Sequence, residues 1–244
     1  MVERDTSIQR QVIFRIDYAQ PAIVNTEDID HIRKMLEVDY PERETQTRVN
    51  FEVSFERSGK TMKEIQSPVV ILNNKLMNNR IIFEQGAIAF DIQSYEDFSK
   101  LRDQIQLVCS TLQPKNPELI IGRIGLRHIY QIILKEDHPF DWSDKISKRL
   151  LCGIDYLENR KCLTRAMGVI EFEEDDCRVK FQYGMFNSEY PNRITKKEFA
   201  LDFDCYCSTK MALSSIPSEL TKFNELIDRL YQRSKAENLK KDGE

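Results

Sequence analysis

Between Leu119 and Leu134 an almost unbroken apolar face recurs at the even positions Ile120, Ile124, Leu126, Tyr130, Ile132 and Leu134, with His128 among them. A period of two held over that length is a long β-strand. Its odd face carries Arg123, Gly125, Arg127 and Gln131, so the strand commits the chain to a sheet with one apolar and one charged face. A later segment repeats the arrangement: Leu201, Phe203, Cys205 and Cys207 alternate with Asp202, Asp204 and Tyr206.

Other segments fit the same scheme. Residues 12–18 set Val12, Phe14, Ile16 and Tyr18 on one strand face. Arg48 to Arg57 is the cleanest strand, with Val49, Phe51, Val53 and Phe55 expected inward and polar residues outward. From Pro68 to Ile92, Asn-Asn pairs and Gln85-Gly86 divide three apolar runs into consecutive antiparallel strands. Strands are also predicted at 164–173, 177–186 and 198–208, the first two joined by an acidic turn. Helical spacing predicts helices over 26–39, capped at Thr26, from a Ser94-x-x-Asp97 capping box to Pro114 and Pro117, over 144–157, and from Pro217-Ser218 onward.

These elements define an α+β fold of mostly antiparallel sheets with amphipathic helices packed on one face. The polar, proline-interrupted segment 135–144 divides an N-terminal half, 1–137, from a C-terminal half, 138–244. The halves repeat a pattern of strands, loop and amphipathic helix, either as two similar halves or as one continuous domain.

A net charge of −4 argues against nucleic acid as the main partner, leaving Lys196, Lys197 and the lysine-rich end as its weak candidates. The charged N-terminus lacks the core of an export signal, and no apolar run is long enough for a membrane helix, so a cytoplasmic location without membrane is expected. The six cysteines then read as reduced, structural thiols. With three histidines and no C-x-x-C pair, neither a metal nor another cofactor is expected.

Arg123 and Arg127 flank Gly125, where an anion could approach the backbone, so they are ligand candidates. The plainer reading pairs them with carboxylates on a neighbouring strand, for which Asp202 and Asp204 are the candidates. His128, on the apolar face, reads as a hydrogen-bonded core histidine. The cluster Glu171 to Asp176 reads as a solvated hairpin rim, and Trp142 as either a surface anchor for a partner or an apolar plug. No nucleophile elbow, phosphate loop or metalloprotease motif occurs, so no catalytic residue is assigned.

The strand Arg123-Ile124-Gly125-Leu126-Arg127-His128-Ile129, with Tyr95-Glu96-Asp97-Phe98 before it and Leu201-Asp202-Phe203-Asp204 after it, resembles an uncharacterised, sporadically distributed prokaryotic family with an "RIGLRY-I" strand. His128 stands where that pattern has an aromatic. The resemblance covers roughly 70–244 and implies no assigned activity. By analogy alone it implies an accessory role in a host-defence or toxin-linked system. The function expected is therefore a non-enzymatic binding or regulatory subunit with a protein partner, a second copy or an effector. The alternative is an enzyme or sensor that holds an anionic small molecule through Arg123 and Arg127.

Overall fold

The computed structural model describes residues 6–20, 24–56, 59–114, 119–136 and 138–236. Its strands are β1 (Thr6–Tyr18), β2 (Glu42–Glu56), β3 (Gly59–Asn73), β4 (Asn79–Glu84), β5 (Ala87–Ile92), β6 (Ile120–Leu134), β7 (Ala166–Glu174), β8 (Cys177–Met185), β9 (Lys197–Cys207) and β10 (Met211–Ala212). Its α-helices are α1 (Thr26–Met35), α2 (Phe98–Leu112), α3 (Cys152–Asp155) and α4 (Ile216–Ser234). The strands form a ten-stranded antiparallel sheet in the order β2-β3-β4-β5-β1-β6-β9-β8-β7, with β10 paired to the start of β6. The chain divides into two compact units, one of Ile13–Ile124 and Ser208–Glu219, the other of Met1–Val12, Gly125–Cys207 and Leu220–Glu244.

In the first unit the registers set Leu72 opposite Ile81 and Ile81 opposite Phe90, so these three buried side chains share one face, while Val69, Ile71 and Ala89 are buried on the other. Phe14 meets Phe90 with ring centroids 6.2 Å apart. Helix α2 buries Leu101, Ile105, Val108, Cys109 and Leu112, the stripe its spacing predicts. Its N-cap is Asp97, which accepts from the Lys100 amide, one turn later than a box opening at Ser94 would place it. Likewise α1 is capped by Asn25 and not Thr26, and it ends at Met35.

In the second unit Phe181 and Phe203 stack at 4.4 Å across β8 and β9. Tyr130 of β6 stacks on Tyr231 of α4 at 4.2 Å. Leu220, Phe223, Leu226, Ile227 and Leu230 give α4 its buried stripe. Trp142 is the apolar plug: it is buried against Phe199 at 5.2 Å while its indole N–H donates to the Pro139 carbonyl.

Three further expectations fail, the first being Ile120, which is exposed at the start of β6 instead of joining its buried face. The helix predicted over 144–157 reduces to α3 and short 3-10 turns, because the backbone of this segment bonds elsewhere. The Ser147 amide donates to the Ser234 carbonyl, and the Lys145 carbonyl accepts from Ala236. The inward placement of Val49, Phe51 and Val53 also fails, since all three are exposed. The expected strand end at Arg57, the helix stop at Pro117 and the solvated lysine-rich end lie outside the described residues.

Candidate functional site

Arg123 and Arg127, two positions from Gly125 on either side, belong to different ion-pair systems. In the first unit Arg123 donates to Asp17 at 3.3 Å. Asp17 also accepts from Arg15 at 2.7 Å, Arg15 reaches Glu84 at 2.8 Å, and Arg48 closes the chain on Glu84. Three guanidinium groups thus compensate two carboxylates, one of them the buried Glu84. Burial works against the charge of Arg15, but Asp17 and Glu84 outweigh it and keep the group charged above its ordinary range.

In the second unit Arg127 grips Asp202 in a bidentate fork, with Nε donating to Oδ1 at 2.8 Å and Nη2 to Oδ2 at 2.6 Å. Gln182 adds a contact to the same carboxylate at 3.4 Å. The hydrogen bond to Asp202 raises the pKa of Arg127, with a further contribution from the charge of Asp204. The structure therefore joins Arg127 to Asp202, sends Arg123 to Asp17, and sets Asp204 in register with Lys180. The sequence carries no local signal for Asp17, because it lies far away in the chain on a strand whose period of two marks only the apolar face.

His128 is buried, and Arg10 donates to its Nδ1 at 2.8 Å. A guanidinium can only donate, so Nδ1 accepts and the neutral ring carries its proton on Nε2. Burial, then the charge of Arg10, pushes its pKa well below the ordinary histidine value. Arg10 also lies 5.0 Å over the Tyr130 ring and 3.8 Å from Asp228, whose carboxyl burial pushes up. This is a packed core network around a neutral imidazole whose Nδ1 lone pair is already engaged.

Cys109, Cys177, Cys205 and Cys207 are buried, and burial lifts the Cys109 thiol to about 12. Cys152 and Cys162 are exposed. Among the described residues no three His, Cys, Asp or Glu side chains converge as metal ligands, and no helix is long and apolar enough to cross a membrane. Lys197 is buried, 2.6 Å from Glu136 and 5.3 Å over the Trp142 ring, so this lysine serves the interior.

A recess of about 210 Å³ in the first unit lies beside the start of α2. Tyr40 donates to Gln104, Gln104 to Asp39, and Lys100 bridges Asp39 and Glu96 at 3.1 and 3.2 Å. Its polar groups satisfy one another.

Among the described residues, large apolar side chains stand exposed on β7, at Met167, Val169 and Ile170, and on the ribbon formed by β2 and β3. The two strands pair one to one from Glu42–Asn73 to Glu56–Gly59, whereas β4 pairs with β3 only through Val70–Asn73. The distal ribbon therefore runs past its sheet neighbour. One of its faces carries Val49, Phe51 and Val53 at 45, 58 and 40 % exposure, beside Met62 at 65 %, which sits opposite Val53. Alternation in the sequence identified this face correctly, but a period of two says nothing about whether a face has a cover.

No protein-family model matches the chain, and no curated protein matches it either.

Proposed function

We propose that the chain is a non-enzymatic binding or regulatory subunit whose contact surface is the apolar face of the β2–β3 ribbon. The observation that supports this is the strip Val49, Phe51, Val53 and Met62, held in water on strands that run past their pairing with β4. Large apolar side chains clustered in solvent mark interaction surfaces, whereas scattered ones need no explanation.

The finer architecture supports the same reading. We read the chain as two similar halves, each a strand, a helix, a run of antiparallel strands and a closing helix, with the helices packed on one face. With the division moved from 138 to the start of β6, the strand before the closing helix in each half, β5 or β9, lies beside the opening strand, β1 or β6. The terminal strands β2 and β7 then correspond, yet β2 and β3 have 15 residues each where β7 and β8 have 9. The extra length serves contact and not the core.

Holding an anion through Arg123 or Arg127 would require displacing Asp17 or Asp202, which makes the ligand-binding alternative the weaker one.

Affinity capture from an extract of the native host, comparing wild type with Phe51→Glu, tests the reading. A stoichiometric partner, identified by mass spectrometry and lost with Phe51→Glu, is the expected result, and a second copy of the chain counts as such a partner. Equal capture by both proteins, or no partner for a strictly monomeric wild type, contradicts it.

A further inference from the structure

We propose that the partner is a second copy of this chain, joined edge to edge through β2 about a two-fold axis that passes at Phe51; this rests on reading the ribbon as a contact surface. β2 ends the strand order, so among the described residues its outer backbone N–H and C=O groups meet no strand. Such an edge is a template for another strand unless something guards it. Two of the usual guards are missing: residues 42–56 contain neither proline nor glycine, and the unbroken register with β3 leaves no bulge, so the charged residues of β2 are the guard that a second copy has to accommodate. The other terminal strand, β7, is shorter and carries Glu171, Glu173 and Glu174. A β2-to-β7 contact would be head to tail and would build a ring or an open filament, whereas β2 on β2 closes at two copies.

Self-complementarity over the longest overlap selects the register. Side chains alternate between faces, so a two-fold axis normal to the sheet must pass at a residue and not between two. With the axis at Phe51, Phe51 faces its own copy, Val49 faces Val53, and Arg48 falls opposite position 54, a serine. No like charges are opposed anywhere from 46 to 56 in this register. Moving the axis to position 50 sets Glu44 against Glu56, and moving it to position 52 sets Glu52 against itself. The register at Phe51 also makes one apolar band, from Met62 through Val53 to Val49 of the second copy.

The test uses the full chain with the exposed thiols removed, Cys152→Ser and Cys162→Ser. A residue on the axis meets itself, so Phe51→Cys in this background should form a covalent dimer of twice 28.8 kDa on mild oxidation. Val38→Cys, 94 % exposed in a connecting segment, should not. Light scattering should give a dimeric mass for wild type and a monomeric one for Phe51→Glu, with unchanged circular dichroism and melting midpoint. A monomeric wild type at micromolar concentration, or equal cross-linking at positions 38 and 51, overturns the proposal. If that monomer still captures an identified host protein that Phe51→Glu loses, the self-pairing falls while the ribbon's binding role stands.

Discussion

His128 is neutral in the fold because burial and Arg10 oppose its protonation. An unfolded histidine takes up a proton near pH 6.5, which the folded ring refuses until well below that value. The contribution is therefore fully present above about pH 6.5 and is lost as pH falls below it, at up to about 1.4 kcal/mol per pH unit. Urea unfolding between pH 7 and pH 5 should show this slope in wild type, and it should flatten in His128→Gln. Equal slopes would contradict the assignment. The Arg127–Asp202 fork makes a second prediction at this scale. Arg127→Ala should cost about 1–2 kcal/mol, below the range of fully buried pairs, since the Arg127 side chain is 37 % exposed. Inorganic phosphate should leave the wild-type melting midpoint unmoved; a phosphate-dependent rise lost in Arg127→Ala would instead favour the ligand reading.

At the scale of elements, the long alternations were legible in the sequence because period-two burial is local. The even face of β6 is buried from Ile124 to Leu134, and β9 buries Leu201, Phe203, Cys205 and Cys207. What stayed hidden depends on distant chain segments. The polar segment before α3 is spread over Ser234 and Ala236, and Arg123 answers to Asp17, more than a hundred residues away. The uncovered ribbon was illegible for the same reason, since only the short reach of β4 reveals it. Gly184 in β8 gives this scale its prediction. Its φ is +137°, and a Cβ there would lie 2.0 Å from the Ala166 carbonyl oxygen across the β7 pairing. Gly184→Ala should cost about 3–5 kcal/mol by strain and overlap, measured by urea unfolding. Gly153→Ala, with nothing within 4 Å of the added carbon, should cost nothing measurable.

For the whole molecule, the charged residues of β1, β6 and β9 are paired internally, while an apolar strip on β2 and β3 is exposed. The sheet accounts for Arg15, Arg123 and Arg127 through Asp17, Glu84 and Asp202, and the core accounts for His128 and Trp142. Among the described residues nothing covers Val49, Phe51, Val53 and Met62. Amide hydrogen exchange across the full chain, comparing wild type with Phe51→Glu, addresses that residue of unexplained surface directly. The account predicts that β2 and β3 are slowed in wild type and lose that protection in the variant, while β6, β9 and α2 exchange alike in both. Equally fast exchange of β2 in the two proteins would contradict it.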